Sequence, residues 1–420
     1  MARTNGYQRS KIIPIQPISM ASKNAFIFIF ITIVIDATGL GIIIPSLPNL
    51  VAEVSHSSIS ESAKYYGIIL GSYAFMQFVF SPLIGSLSDH FGRRPILLLS
   101  LFGLGIDYIF MYFAPTLFWL ILGRSLSGMF GASFTTASAY IADISTPENK
   151  TKNFGLVGAA FGIGFIVGPA IGGLLGNFHL RAPFLFAAGL SLLNLIYGTF
   201  VLKESLSKEN RRAFSWKRSN PIGAFFQLKK YKHFAWIFVV LFLVYFGGMA
   251  IHSTWNYYTI EKFNWSIGDV GISLATVGVF IAIVQGGFAG KISKKLGDQK
   301  TTLLSLLITM VTLIAIGVAN HSWMLYAFML PYAFSGLADP AIRSILSNKT
   351  SESEQGELQG LITSILSCAE IIGPPIMMAV FYFFSVPRFT AQPIIGMPFF
   401  LGCLSIFCAF LLFKWVTKNS

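Results

Sequence analysis

Gly85-Ser-Leu-Ser-Asp89-His-Phe-Gly92 recurs later in the chain as Gly290-Lys-Ile-Ser-Lys294-Lys-Leu-Gly297. Both glycine pairs are 205 residues apart (85 to 290, 92 to 297), and the same offset carries Gly168-Pro169 onto Gly373-Pro374 and Gly155 onto Gly360. Landmarks that hold one register over that distance mark an internal duplication. What surrounds each octet decides what has been duplicated. On both sides lie apolar runs of about 20 residues, the length that crosses a hydrocarbon core of about 30 Å.

Twelve such runs can be read, six on either side of a polar stretch. They are Ala25–Leu47, Tyr65–Leu87, Pro95–Phe113, Leu117–Ala142, Phe154–Gly176 and Pro183–Leu202, then His233–Thr254, Ile267–Ala289, Thr301–Ala319, Trp323–Leu346, Leu358–Phe384 and Ile394–Val416. An even number of spans per copy gives both copies the same orientation, so the repeats are parallel, related by an axis along the membrane normal. The fold class is therefore an all-α membrane protein: twelve transmembrane helices as two parallel six-helix repeats. The chain divides into a tail (1–24), a six-helix bundle (25–202), a linker (203–232), a second bundle (233–416) and a short tail (417–420). Continuous rather than alternating runs exclude a β-barrel.

Composition agrees. The chain is 54% hydrophobic and only 11% charged, against about 25% charged for a soluble domain, which excludes a soluble enzyme. A formal charge of +13 suggests nucleic acid only until the charges are placed. Of the 30 Lys and Arg, 25 fall on the side of the termini; Lys64, Arg181, Lys262 and Arg388 fall on the other, and Arg124 lies inside a span. That asymmetry places both termini in the cytoplasm, as expected for a multi-pass protein of a bacterial inner membrane, and removes the case for nucleic acid. The nine positive charges of the linker read as topogenic and lipid-contacting. Met1–Lys23 is basic and polar, without the pattern of a cleaved signal.

Ionisable groups inside spans are expensive and mark function. Asp36, Asp107, Asp339 and Glu370 are the acids there. Asp36, halfway along the first span, can alternate between protonated and charged forms, which proton coupling requires; the alternative is a structural acid bonded to a neighbouring helix. Arg124 keeps its proton and calls for an acid partner, with Asp36 and Asp107 at comparable depth. Such a pair is either a protonation switch or a permanent structural bridge. Glu370 is a second protonation site or a counter-ion for a cationic substrate. Asp339 and Arg343, four apart, are expected to pair with each other. Gln285, Asn256 and Tyr257 are the polar candidates for a substrate cavity. His56, His90, His179, His233, His252 and His321 fall in loops or near span ends without metal-ligand spacing, and Cys368, Cys403 and Cys408 all lie in spans. No phosphate-binding Gly-Lys-Ser/Thr loop is present, so the energy source is a proton gradient rather than a nucleotide or cofactor.

The loop from Gly85 to Pro95 has a different task. Gly85 and Gly92 allow close helix approach, while Asp89, Arg93, Arg94 and Asp143 form a charge cluster suited to a gate latch. Gly168, Pro169, Gly172 and Gly173 on the fifth span, and Gly373 and Pro374 on the eleventh, allow backbone contact and a bend. Dimerisation through the glycine face is the alternative; a functional monomer is the expectation.

Gly85-Ser-Leu-Ser-Asp89-His-Phe-Gly92-Arg93-Arg94 resembles the signature loop of the major facilitator superfamily. The run ending Gly168-Pro169-Ala-Ile-Gly172-Gly173 resembles the motif of its drug:proton antiporters, and Arg124 with Gly128 resembles its fourth-helix motif, with Ser127 where Gln is common. Asp36-Ala-Thr-Gly39-Leu-Gly41, Asp107-Tyr108 and Leu361-Ile-Thr-Ser narrow the resemblance to tetracycline efflux pumps, from about Ala25 to Phe384. Those pumps carry a histidine in the eighth helix and an acid in the ninth, where this chain has Ile281 and the neutral Thr309 and Met310. The resemblance implies proton-coupled export of amphipathic small molecules, with a cargo other than tetracycline. A transporter of a metabolite such as a siderophore or amino acid is the alternative; a non-transporting membrane sensor fits the intramembrane charges less well.

Overall fold

The computed structural model describes residues 20–131, 133–145, 150–214, 216, 219–221, 223, 231, 234–350, 355–387 and 393–419. Arg3, Arg9, Lys11, Lys217, Arg218, Lys229, Lys230, Lys232, His233 and Arg388 lie outside them. All regular structure among the described residues is helical. The first half comprises α1 (Met20–Ile43), α2 (Leu47–Ser55), α3 (Ile59–Phe91), α4 (Arg93–Phe113), α5 (Leu117–Phe130), α6 (Ser133–Ile144), α7 (Lys150–Phe178) and α8 (Ala182–Val201). The second comprises α9 (Ala235–Phe263), α10 (Ile267–Ile283), a π segment (Val284–Phe288), α11 (Ala289–Leu296), α12 (Asp298–Val318), α13 (Ser322–Ser335), α14 (Ala338–Asn348), α15 (Gln355–Ser385) and α16 (Met397–Asn419).

Eleven spans among the described residues are long and apolar enough to cross a membrane. The remaining expected run, Trp323–Leu346, is present as two shorter helices, α13 and α14, separated by a turn at Gly336. The fourth run breaks in the same way after Gly131, and 131 to 336 is again 205 residues. Helices α4 and α12 start and end at this offset, as do α5 and α13. The duplication therefore extends to where helices break. Carbonyls freed at the second break are re-satisfied: Ser305 Oγ donates to Phe334 O (3.1 Å) and Ser335 O (2.7 Å), as a broken helix in lipid requires.

The outside of the bundle is apolar, unlike that of a soluble bundle. On α12, Leu304, Leu307, Val311, Ile314 and Val318 form an exposed apolar stripe, while Thr301, Thr302, Ser305, Thr309 and Thr312 are buried. Lipid solvates the apolar stripe, and the hydroxyls find backbone acceptors inside the bundle.

The halves meet through α3 against α15 and α7 against α10, two contacts that the repeat exchanges. At the end away from the termini both are backbone-close. A methyl added at Gly67 would lie 3.1 Å from Pro374 O, and one at Gly271 would overlap Pro169 O and lie 2.8 Å from Gly173 Cα. Gly172 sits against Ile42 O of α1 and Gly168 within 2.7 Å of Thr38 O by the same measure, so α7 is pressed between α1 and α10. At the other end, the Cβ positions of Gly85, Gly155, Gly158, Gly162, Gly286, Gly290 and Gly360 meet nothing within 4 Å. The bundle is sealed at one end and parted at the other.

Two expectations change. Gly85 makes no close approach in this conformation; of the loop glycines it is Gly92 whose backbone is special, at φ 106°, with its repeat partner Gly297 at φ 76°. The seventh span does not stop at Thr254 but continues to Phe263, because Trp255, Asn256, Tyr257 and Tyr258 are buried against other helices. His252 is thereby a mid-helix residue rather than one near a span end.

Overpacking a close backbone contact costs about 1–3 kcal/mol. Gly271→Val is accordingly expected to part the sealed end in roughly 5- to 160-fold more molecules. Distances between spin labels on α3 and α15 check it; an unchanged distribution would remove the glycine contact as the seal.

Candidate functional site

The site is built where α1, α3, α4, α5 and α15 converge. Arg124 on α5 is 5% exposed and Asp107 on α4 is 1% exposed. Gly123 brings α5 close enough to α4 that its Cβ position is 3.2 Å from Asp107 Oδ1. Yet Asp107 does not take the arginine. Ser127 Oγ donates to Asp107 Oδ2, and Asp107 Oδ1 has no hydrogen-bond partner. The guanidinium of Arg124 instead lies 4.5 Å over the ring of Tyr73 on α3, with Nε and Nη1 unpartnered. The acid partnership expected of Asp107 is thus replaced by a cation–π contact, worth about 2 kcal/mol or more when desolvated.

Tyr73 is also within electrostatic range of Asp36, Asp107 and Glu370. With Arg124 this relates it to four of the five intramembrane charges singled out from the sequence, all but Asp339. Its helix is held there by Gly128, whose Cβ position meets Tyr73 O, and by Gly131, whose Cβ position lies 3.1 Å from Tyr73 Oη. Glu370 belongs to the other half. It stands next to Ile371, whose carbonyl is 3.3 Å from the Cβ position of Gly71, so Tyr73 and Glu370 lie just inside the point where the halves part. Tyr108 on α4 packs its hydroxyl 3.0 Å from the Cβ position of Gly39 on α1.

The loop cluster assembles at the open end, within the first half. Arg93 bonds Asp89, Asp143 (3.1 Å) and Ser88 (2.7 Å). Arg94 does not join it, donating instead to Leu202 O (2.7 Å) and Thr199 O (2.8 Å) at the end of α8. An unforeseen partner, Glu204, accepts from Arg93 N (2.8 Å) and Arg94 N (3.3 Å) and so caps α4, whose preceding Gly92 leaves no room for a Cβ beside that carboxylate. In the repeat the polarity is inverted: Lys294 stands for Asp89 and Asp298 for Arg93, and Ser293 Oγ donates to Asp298 where Ser88 Oγ accepts from Arg93.

The cavity candidates separate. Asn256 donates to Ile44 O of the first half (2.7 Å), and Tyr257 bonds Ser62 (3.1 Å) while stacking near Tyr66; both belong to the sealed end, not to an accessible cavity. Asn177, not anticipated, accepts from Gly268 N across the same seam (3.0 Å). Gln285 is exposed in the π segment, its amide nitrogen 2.7 Å from the Cβ position of Gly336 at the α13–α14 break. Asp339 and Arg343 do pair, at 2.8 and 3.0 Å.

The family model of the Major Facilitator Superfamily matches residues 29–319 and 237–420. The chain belongs to that superfamily. Among its relatives is a tetracycline resistance protein of class C from Escherichia coli, 36% identical, with 92% of this chain and 96% of the relative covered. Another is multidrug resistance protein 2 of Bacillus subtilis, 30% identical, with 84% and 87% covered. In fold it resembles a bacterial homolog of the human lysosomal transporter Spinster (TM-score 0.75, 14% identical, covering 95% and 97%) and the nucleoside transporter NupG (TM-score 0.75, 13% identical, covering 94% and 99%). As a major facilitator protein it is a multi-pass membrane protein, and the solved structures it resembles are named as transporters or a transporter homolog.

Tyr73 escaped the sequence reading because a tyrosine in an aromatic-rich span carries no signal; only its place under Arg124 gives it one. Tyr73→Phe keeps the ring and is expected to behave as the parent. Tyr73→Leu is expected to lose about 2 kcal/mol or more of stability, read as thermal unfolding in detergent. Equal stability of the two variants would dismiss the cation–π contact. Glu204→Ala is expected to cost about 1.5–3 kcal/mol, the worth of hydrogen bonds to a charged group, by the same measurement.

Proposed function

We propose that this protein exports amphipathic small molecules or drugs in exchange for protons, by alternating access between its halves. The observation that carries the reading is that the same helix faces close one end and line the other. Gly155, Gly158, Gly162, Pro169, Gly173 and Gly176 follow helical spacing along one face of α7, which packs on α10 from Ile166 onward while the positions of Gly155, Gly158 and Gly162 stay open. Gly67, Gly71, Gly85 and Asp89 likewise share a face of α3. Rocking the halves would exchange open and closed ends without new surfaces.

The charge asymmetry of the loops makes the parted end cytoplasmic, so this conformation receives cargo from inside the cell. Behind the seal wait Asp36, Asp107 and Glu370 around Arg124 and Tyr73. In the outward-open conformation a proton entering from outside neutralises a carboxylate of this group and displaces cargo, and the protonated protein returns to the conformation seen here; each pH unit contributes about 1.4 kcal/mol per proton. The gradient is the only energy source and no cofactor is used. The drug-resistance relatives support the cargo class. The setting is a bacterial inner membrane, with both termini cytoplasmic and the monomer as the working unit.

Inside-out vesicles with an acid lumen test this. Tetracycline or ethidium added outside is expected to drive lumenal alkalinisation, slowed at least ~10-fold by Asp36→Asn or Arg124→Ala, the cost of removing an intramembrane functional charge. Alkalinisation that survives Asp36→Asn would remove that residue from coupling. Cargo movement indifferent to the pH gradient would overturn antiport itself.

A further inference from the structure

His252 sits eleven residues before the end of α9, about 16 Å into the membrane at 1.5 Å per residue. Its ring is exposed, and the other sides of the helix around it are occupied. Gly247 and Ala250 pack on Gly402 of α16, Met249 on Gly373 of α15, and Trp255 donates to Ser273 of α10 (3.0 Å). The remaining face runs through Tyr245, Gly248, His252 and Asn256. The Cβ position of Gly248 meets open space, Tyr245 lies against the Asp339–Arg343 pair, and Asn256 reaches across to the first half. The exposed side of His252 therefore looks into the pathway and not into lipid.

No hydrogen bond or ion pair of this ring occurs among the described residues, and no cluster of metal-ligating side chains occurs among them. The elements packed against α9 carry Glu370 on α15, the Asp339–Arg343 pair on α14 and Tyr66 and Tyr73 on α3, and α1 of the first half carries Asp36. α10 and α16 carry no charged side chain at this depth. Histidine is the side chain whose ordinary titration falls between about pH 5 and 8. Neutral, it offers one donor and one acceptor; protonated, it offers two donors and a positive charge.

We propose that His252 is a proton- and cargo-binding residue of the second half, at which cargo held by the neutral ring is displaced by a proton. The inference rests on the antiport reading and deepens it, giving the pathway a titrating wall opposite Arg124. Proton and cargo compete for one nitrogen atom, so binding of either excludes the other.

Access is tested first and without transport. In a chain lacking Cys368, Cys403 and Cys408, His252→Cys is expected to react with a water-soluble maleimide at least ~10-fold faster than Val311→Cys on the lipid-facing stripe, and tetracycline or ethidium is expected to slow it. Equal rates would overturn the placement. In the vesicle assay, His252→Gln and His252→Asn are expected to flatten the pH dependence of cargo uptake between about pH 5 and 8. An unchanged pH profile in both would overturn the proposal while antiport stands. Should antiport fail, NMR titration of the His252 ring in nanodiscs decides separately: a midpoint that tetracycline or ethidium does not move would overturn it.

Discussion

Two backbone contacts, Pro169 against Gly271 and Pro374 against Gly67, hold the halves in register. In lipid there is no hydrophobic force to drive helices together, so association depends on how closely backbones can approach. Small residues supply that approach, and prolines fix the shape of the opposing surface. The repeat exchanges the two prolines and the two helix pairs, so the seal has the same construction on both sides. Everything else depends on this: where the pathway ends, which residues it exposes, and which charges remain behind the seal.

Arg124 and Asp107 lie close without neutralising each other. A buried guanidinium whose Nε and Nη1 lack hydrogen-bond partners is costly, and the ring of Tyr73 offsets only part of that. Asp107 spends one oxygen on Ser127 and leaves the other unmatched. Such an arrangement responds to a small change in protonation, because no single strong bond must first be broken. Its position between halves, with Glu370 contributed by the second, makes that response felt by the seam.

The sequence displayed the architecture well, because the features that set it are periodic or repeated: apolar runs, loop charges and a constant offset. The same offset even locates the paired breaks at Gly131 and Gly336. It displayed interior acids for the same reason, since charge is conspicuous in an apolar run. Contacts made by unremarked residue types were not legible. Tyr73 and Asn177 look like ordinary helix residues until neighbours are placed, and Glu204 appeared to be linker. The polar run Trp255–Tyr258 looked like the end of a span, yet burial against α3, α10 and α12 keeps it helical and moves His252 to the middle. Arg94 shows the converse: adjacent to Arg93 in sequence, it points to a different helix.

The inverted polarity of the duplicated loop makes the two copies unequal at the open end. In the first copy Arg93 takes up Asp89 and Asp143, so the charges are matched within one half. In the second, Ser293 bonds Asp298 while Lys291, Lys294 and Lys295 stand exposed on α11, with no ion pair among the described residues. The mouth thus has one neutral lip and one cationic lip, and the field of the second reaches about 8 Å at physiological salt.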